Sequence, residues 1–173
     1  KLGGFNLSNI LIMSNVRLIR AYNVLRQYKE DDVSAALNTM ADSLEIGGLL
    51  IEGTSNPTGR LVVFDIYRKT QYKMLVHQEL VFGTNFRKGL TPVDFQAVLP
   101  KRLIHHAHDQ APAAFFDAWQ RSLSVAKSAG KIGLRQQWIF AAHHLRERFG
   151  YSIDLRKRIL RRGYLVLRSP LYP

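Results

Sequence analysis

The sequence contains no cysteine. Disulfides, thiolate nucleophiles and cysteine-ligated zinc are therefore excluded. Acidic residues are scarce, 13 against 25 Lys and Arg, which leaves a net charge of +12. Apolar runs are short: Leu49-Leu50-Ile51 is typical, far below the roughly 20 residues a membrane-spanning helix needs. No P-loop, Ser-His-Asp ordering or EF-hand pattern occurs. No signal peptide is recognisable, and with the lack of cysteine this predicts a cytoplasmic protein without a membrane partner.

What is present suits a folded chain. At 173 residues, 46% of them hydrophobic and 22% charged, a single domain with one sizeable core is expected. The basic excess attracts polyanions, nucleic acid among them, but says nothing about a reaction.

Residues 16 to 54 carry the clearest pattern. Val16, Leu18, Ile19 and Ala21 form a strand ending near Tyr22. Val33, Ala36, Leu37, Met40, Ala41 and Leu44 then recur at the spacing of one helical face. Glu30, Asp31 and Asp32 complement the dipole at the helix start, and Gly47 suits a left-handed stop. Leu49, Leu50 and Ile51 read as a second strand buried on both faces. The unit is strand, helix, parallel strand, and such sheets bind ligands beyond the carboxyl ends of their strands.

Downstream, Ser55 to Gly59 is a turn, and Leu61 to Arg68 with Met74 to Phe82 reads as a β-hairpin. Thr91-Pro92 opens a short helix. Phe115, Phe116, Trp119, Leu123 and Ala126 share one helical face; Leu134, Trp138, Ala141, Leu145 and Phe149 share the next, which Gly150 ends. Tyr151 to Leu155 and Gly163 to Arg168 read as two short antiparallel strands at one edge. Residues 1 to 15 have no clean period and read as a loop.

VRLIRAYNVLRQY, a helix, and LEIGGLLIEGT together resemble the second half of class I S-adenosylmethionine-dependent methyltransferases. The resemblance covers residues 16 to 54 well and 151 to 168 loosely. It implies an α/β fold built on a partial Rossmann-like sheet, parallel at its core and antiparallel at its C-terminal edge, with an inserted hairpin and helices. It implies S-adenosylmethionine as cofactor, and places Asn23-Val24-Leu25 beside it, with Arg26 and Tyr28 on the same connection. The family's first strand, glycine-rich cofactor loop and ribose-binding acid would lie before residue 1. Gly3-Gly4 does not replace that loop. The expectation is therefore the C-terminal half of a methyltransferase domain, with weak or no activity alone, or a relative that has lost the cofactor. A sheet cut at its middle strand would also expose an edge, a surface for self-association.

Glu52, at the carboxyl end of the second strand, is a candidate to bind a substrate cation or act as a base. Thr54, Asn56 and Arg60 would form the rim of that substrate site. Each also has an ordinary structural reading as a cap, turn or ion-pair residue. His105, His106, His108 and Asp109 are close in sequence, but spacings of one or two residues are not a recurrent tetrahedral pattern. His143-His144 cannot both face one metal from a helix.

Arg156-Lys157-Arg158 and Arg161-Arg162 put five cations in seven residues, with no aromatic between them to stack on a base. The alternative to a methyltransferase-like protein acting on an unknown methyl acceptor is a non-enzymatic basic module for nucleic acid or another polyanion. It gains if these cations converge with Arg87-Lys88 and Lys101-Arg102 on one face.

Overall fold

The computed structural model describes residues 16–89, 91–106, 109–168 and 171, the side chains of Glu30 and His105 excepted. Residues 1 to 15, where a loop is expected, lie outside this set. The first strand, β1 (Val16–Tyr22), leads through a 3-10 turn (Leu25–Gln27) into α1 (Glu30–Asp42) and β2 (Leu44–Ser55). Two further strands follow, β3 (Leu61–Lys69) and β4 (Leu75–Thr84), then a 3-10 segment (Pro92–Val98). The helices α2 (Lys101–His105), α3 (Gln110–Ser128), α4 (Leu134–Phe149) and α5 (Lys157–Arg161) precede β5 (Tyr164–Leu167). No helix among the described residues is long and apolar enough to cross a membrane.

The five strands form one mixed sheet in sequence order. As expected, β1 and β2 run parallel. The parallel part ends there: β2–β3, β3–β4 and β4–β5 are all antiparallel. The hairpin is therefore no insertion beside a parallel core, and β3 is the central strand. Its alternating burial, with Leu61, Val63, Asp65, Tyr67 and Lys69 inward, is the pattern of a sheet covered on one face.

Two expectations are corrected. Gly47 has φ +81, but it does not cap the helix; α1 ends at Asp42, and Gly47 sits in β2 where the register against β1 shifts. The helix end is instead closed from outside, by the buried Lys69 ammonium, which donates to the carbonyls of Ala41 and Leu44 at 2.7 Å each. Second, Tyr151 to Leu155 is not a strand. It contributes a single bridge, Ile153 to Leu167, and α5 occupies the link to β5.

The strand register sorts side chains into two faces. Ala21, Glu52, Asp65, Leu80 and Leu167 stand in one row on the inner face. The adjoining inner positions include Leu50, Val63, Phe82 and Leu165. The inner face meets two clusters of apolar side chains: α1 packs over β1 and β2, and the other helices pack over β3, β4 and β5. Phe82 is central to the larger cluster, with Phe95, Phe115, Phe116 and Trp119 rings centred 5.2–5.9 Å away. Apart from Val16 at the irregular start of β1, neither cluster draws a side chain from the outer face, where Val81 and Val166 are nonetheless buried.

Removing a buried phenyl ring leaves a cavity that its neighbours fill only in part. Phe82→Ala is expected to lower unfolding free energy by about 3–5 kcal/mol, read from urea denaturation. A loss below about 1 kcal/mol would show that the aromatic pile does not hold sheet to helices.

Candidate functional site

The carboxyl ends of β1 and β2 lie side by side, and Asn23 closes them. It has φ +59, a left-handed conformation that asparagine tolerates better than most residues. Its backbone N–H donates to the Gly53 carbonyl at 2.8 Å. Its side-chain amide donates to the Ser55 hydroxyl at 3.2 Å, and its Oδ1 accepts the Ser55 N–H at 3.0 Å. Asn23 thus staples the turn after β1 to the end of β2.

The other residues of the expected cofactor set diverge. The Arg26 guanidinium donates to the Ala97 carbonyl at 2.9 Å, tying the turn to the 3-10 segment. Tyr28 is half-buried and lines a groove of about 360 Å³ between β1 and α1. Ile19, Ala21, Leu25, Ala36 and Met40 supply its apolar wall, with Arg20, Asp32 and Thr39 as polar neighbours. That volume falls in the range of small-molecule sites.

The expected substrate set is split by the pleat. Asn56 and Arg60 stay at the strand ends. Asn56 Oδ1 accepts the backbone N–H groups of Arg60 and Leu61, closing the loop between β2 and β3, and Arg60 reaches the Gly89 carbonyl at 3.4 Å. Glu52 and Thr54 point to the inner face, only 3% and 1% exposed. Glu52 Oε1 and Thr54 Oγ1 have no hydrogen-bond partner among the described residues.

Glu52 stands opposite Asp65 in the register. Asp65 is fully buried and bonded to His77 Nε2 at 2.8 Å. Burial first, and then the Asp65 charge, push the Glu52 carboxyl up to about 8, while the Arg102 charge pulls the other way. Two carboxyls facing each other on adjacent strands repel if both ionise, so Glu52 keeps its proton at neutral pH. In the folded chain it is a buried neutral acid rather than an exposed cation binder. Neither Asp65 nor His77 stood out in the sequence. Only β3–β4 pairing brings them together, and the one available signal was a charged residue at an inward position of an alternating strand.

The basic residues converge in part. The Thr84 N–H donates to the Gly163 carbonyl, and the Asn85 N–H to the Arg60 carbonyl. These bonds hold the Arg87-Lys88 loop beside Arg60 and beside Arg161-Arg162. Arg135 joins them, donating to the Arg161 carbonyl at 3.0 Å and covering the Phe86 ring. Arg156 is engaged elsewhere: it clamps Asp154, whose carboxyl lies below its ordinary value chiefly through that hydrogen bonding. Lys101 and Arg102 belong to α2, where the Arg102 charge acts on Glu52. Among the described residues, no group of His, Cys, Asp or Glu could hold a metal. His106 bonds Asp109, His144 bonds Ser122, and His108 lies outside the described set.

The fold and site together define an α/β protein with a five-stranded mixed sheet. Compared with known proteins, the chain matches no family model, no curated protein and no solved structure.

The raised Glu52 value sets a pH dependence. A group whose folded value exceeds its unfolded value, 4.5 here, stabilises fully below that unfolded value. That stability is lost as pH rises toward about 8, with a slope of about 1.4 kcal/mol per pH unit. Urea midpoints should therefore fall between pH 5 and 8, and Glu52→Gln should flatten the fall. Equal slopes for the two proteins would show that Glu52 is already ionised in the fold.

Proposed function

We propose that this chain is the C-terminal portion of an S-adenosylmethionine-dependent methyltransferase domain. The observation that carries the reading is the unit β1–α1–β2. Two adjacent parallel strands are joined by one amphipathic helix, and the turn Asn23-Val24-Leu25 stands at their carboxyl ends. In parallel sheets that end is where ligands sit. A groove of about 360 Å³ opens beside the same turn.

The residues present suit one side of such a cofactor. After its bonds to Ser55, the Asn23 amide retains one N–H and one lone pair, and the side chain is exposed. Tyr28 and Asp32 offer a hydroxyl and a carboxylate at the groove. The bound cofactor would supply an activated methyl group on a sulfonium. Such a transfer asks the protein chiefly for alignment of donor and acceptor. Here the turn would orient the cofactor, and the strand ends with Asn56 and Arg60 would border the acceptor. Glu52, holding its proton beneath the sheet, would act by shaping the inner face rather than as an exposed base.

Titration of the isotopically labelled chain with S-adenosylhomocysteine tests this. Saturable shifts are expected at backbone amides of 21–28 and 53–56, with no methyl transfer by these residues alone. Asn23→Gly keeps the left-handed turn while removing the amide, and should weaken binding about tenfold, the equivalent of one good hydrogen bond. Shifts that are absent or fall elsewhere in a folded chain would refute the reading, as would robust turnover by the chain by itself.

A further inference from the structure

We propose that the outer face of the sheet, at the carboxyl end of β1, binds single-stranded nucleic acid by stacking bases on an aromatic ladder. Tyr22 on β1, Phe64 on β3 and Tyr164 on β5 all point away from the helices. Each pair is two strands apart, about 10 Å across the sheet. Yet the ring centroids are only 5.9 and 6.4 Å apart, because each pair leans over a glycine. Gly53 lies between Tyr22 and Phe64, and a Cβ there would come within 2.4 Å of Phe64 Cβ. Gly83 lies beneath Tyr164, where a Cβ would meet Val62 at 2.6 Å and the tyrosine ring at 3.1 Å. Two glycines inside strands weaken a sheet; here they open a lane for rings.

The rings remain accessible. Tyr164 is 38% exposed, and Tyr22 and Phe64 are half-buried. The ladder is bordered by positive charge. The Arg20 guanidinium lies 5.2 Å from the centroid of the Tyr22 ring. Arg60, Arg87, Lys88, Arg161 and Arg162 gather at the adjoining strand ends, and none has an ion-pair partner among the described residues. The acids nearby are engaged: Glu79 pairs with Arg168, and Asp94 closes the capping box with Thr91.

Aromatic rings on a sheet face that no described helix covers, flanked by cations without ion-pair partners among the described residues, are the combination that holds an unstacked base and its phosphates at once. A duplex buries its base faces and offers only phosphates, sugars and groove edges, on which rings cannot stack. The ladder therefore selects single strands, whether or not the chain takes part in methyl transfer.

The test is fluorescence anisotropy with labelled mixed-sequence RNA and DNA single strands and the matching duplex, over a salt series. Single strands should bind more tightly than duplex; the RNA and DNA arms identify the natural source. Tyr164→Ala should weaken binding about tenfold, and Tyr164→Trp should restore it. Arg161→Glu with Arg162→Glu should also weaken it, and lower the salt slope by about 0.7 for each phosphate no longer neutralised. Arg121→Glu, on the outside of α3, should change nothing. Thermal melts confirm that each variant is folded; should Tyr164→Ala unfold, Tyr164→Leu takes its place with the same expected loss. Equal affinity for duplex or tripolyphosphate, binding indifferent to Tyr164, preference for anionic vesicles, or no binding at all would each overturn the proposal.

Discussion

Phe82 is the point at which sheet and helices are joined. One ring on β4 contacts side chains from the 3-10 segment and from α3, and Trp119 in turn meets Trp138 of α4. Burial of large aromatic surfaces dominates such a core, and their edge-to-face and stacked contacts add to it. The consequence reaches beyond stability. With the described helices drawn to one face of the sheet, none of them covers the outer face.

The inner face also carries a polar seam between its two apolar clusters. Glu52 and Asp65 stand opposite each other there, one holding its proton and the other bonded to histidine. Such a pair persists in a low-dielectric interior only if one member stays neutral. Lys69, reaching back to the end of α1, is a second buried polar group with a clear structural task. These groups link β2, β3 and β4 beneath the helices. They make the fold sensitive to pH in a way that its surface charge alone would not.

The carboxyl end of the sheet brings together two features of different origin. The turn at Asn23 and the groove beside α1 belong to the parallel pair. The aromatic ladder starts on that pair, at Tyr22, and continues with the basic strand ends into the antiparallel meander that follows. They share one end because β1 and β2 finish where β3 and β5 begin. An acceptor held on the outer face would thus lie at the end of the sheet where the proposed cofactor turn stands.

Much of the fold was legible in the residues. Helical spacing from Val33 to Ala41, the alternation around Phe82 and the aromatic faces of α3 and α4 follow from local periodicity, which a core must satisfy wherever it lies; Leu44, on the same spacing, instead opens β2. The parallel pairing of β1 and β2 followed from the helix between them. Among the site residues, position along the chain placed Asn23, Asn56 and Arg60 at strand ends. It did not reveal that the Asn23 amide binds Ser55, or that Glu52 and Thr54 turn inward. Those outcomes depend on register, and a shift of one residue exchanges the faces of a strand. The Asp65–His77 bond, the lean of Tyr22, Phe64 and Tyr164 over two glycines, and the meeting of Arg60 with Arg161 are contacts between residues far apart in sequence. Local pattern carries no information about such pairs. Which segments became helix and strand was written locally, in periodicity and glycine placement. Which side chains share a face was settled in three dimensions, because strand pairing and packing set that alignment.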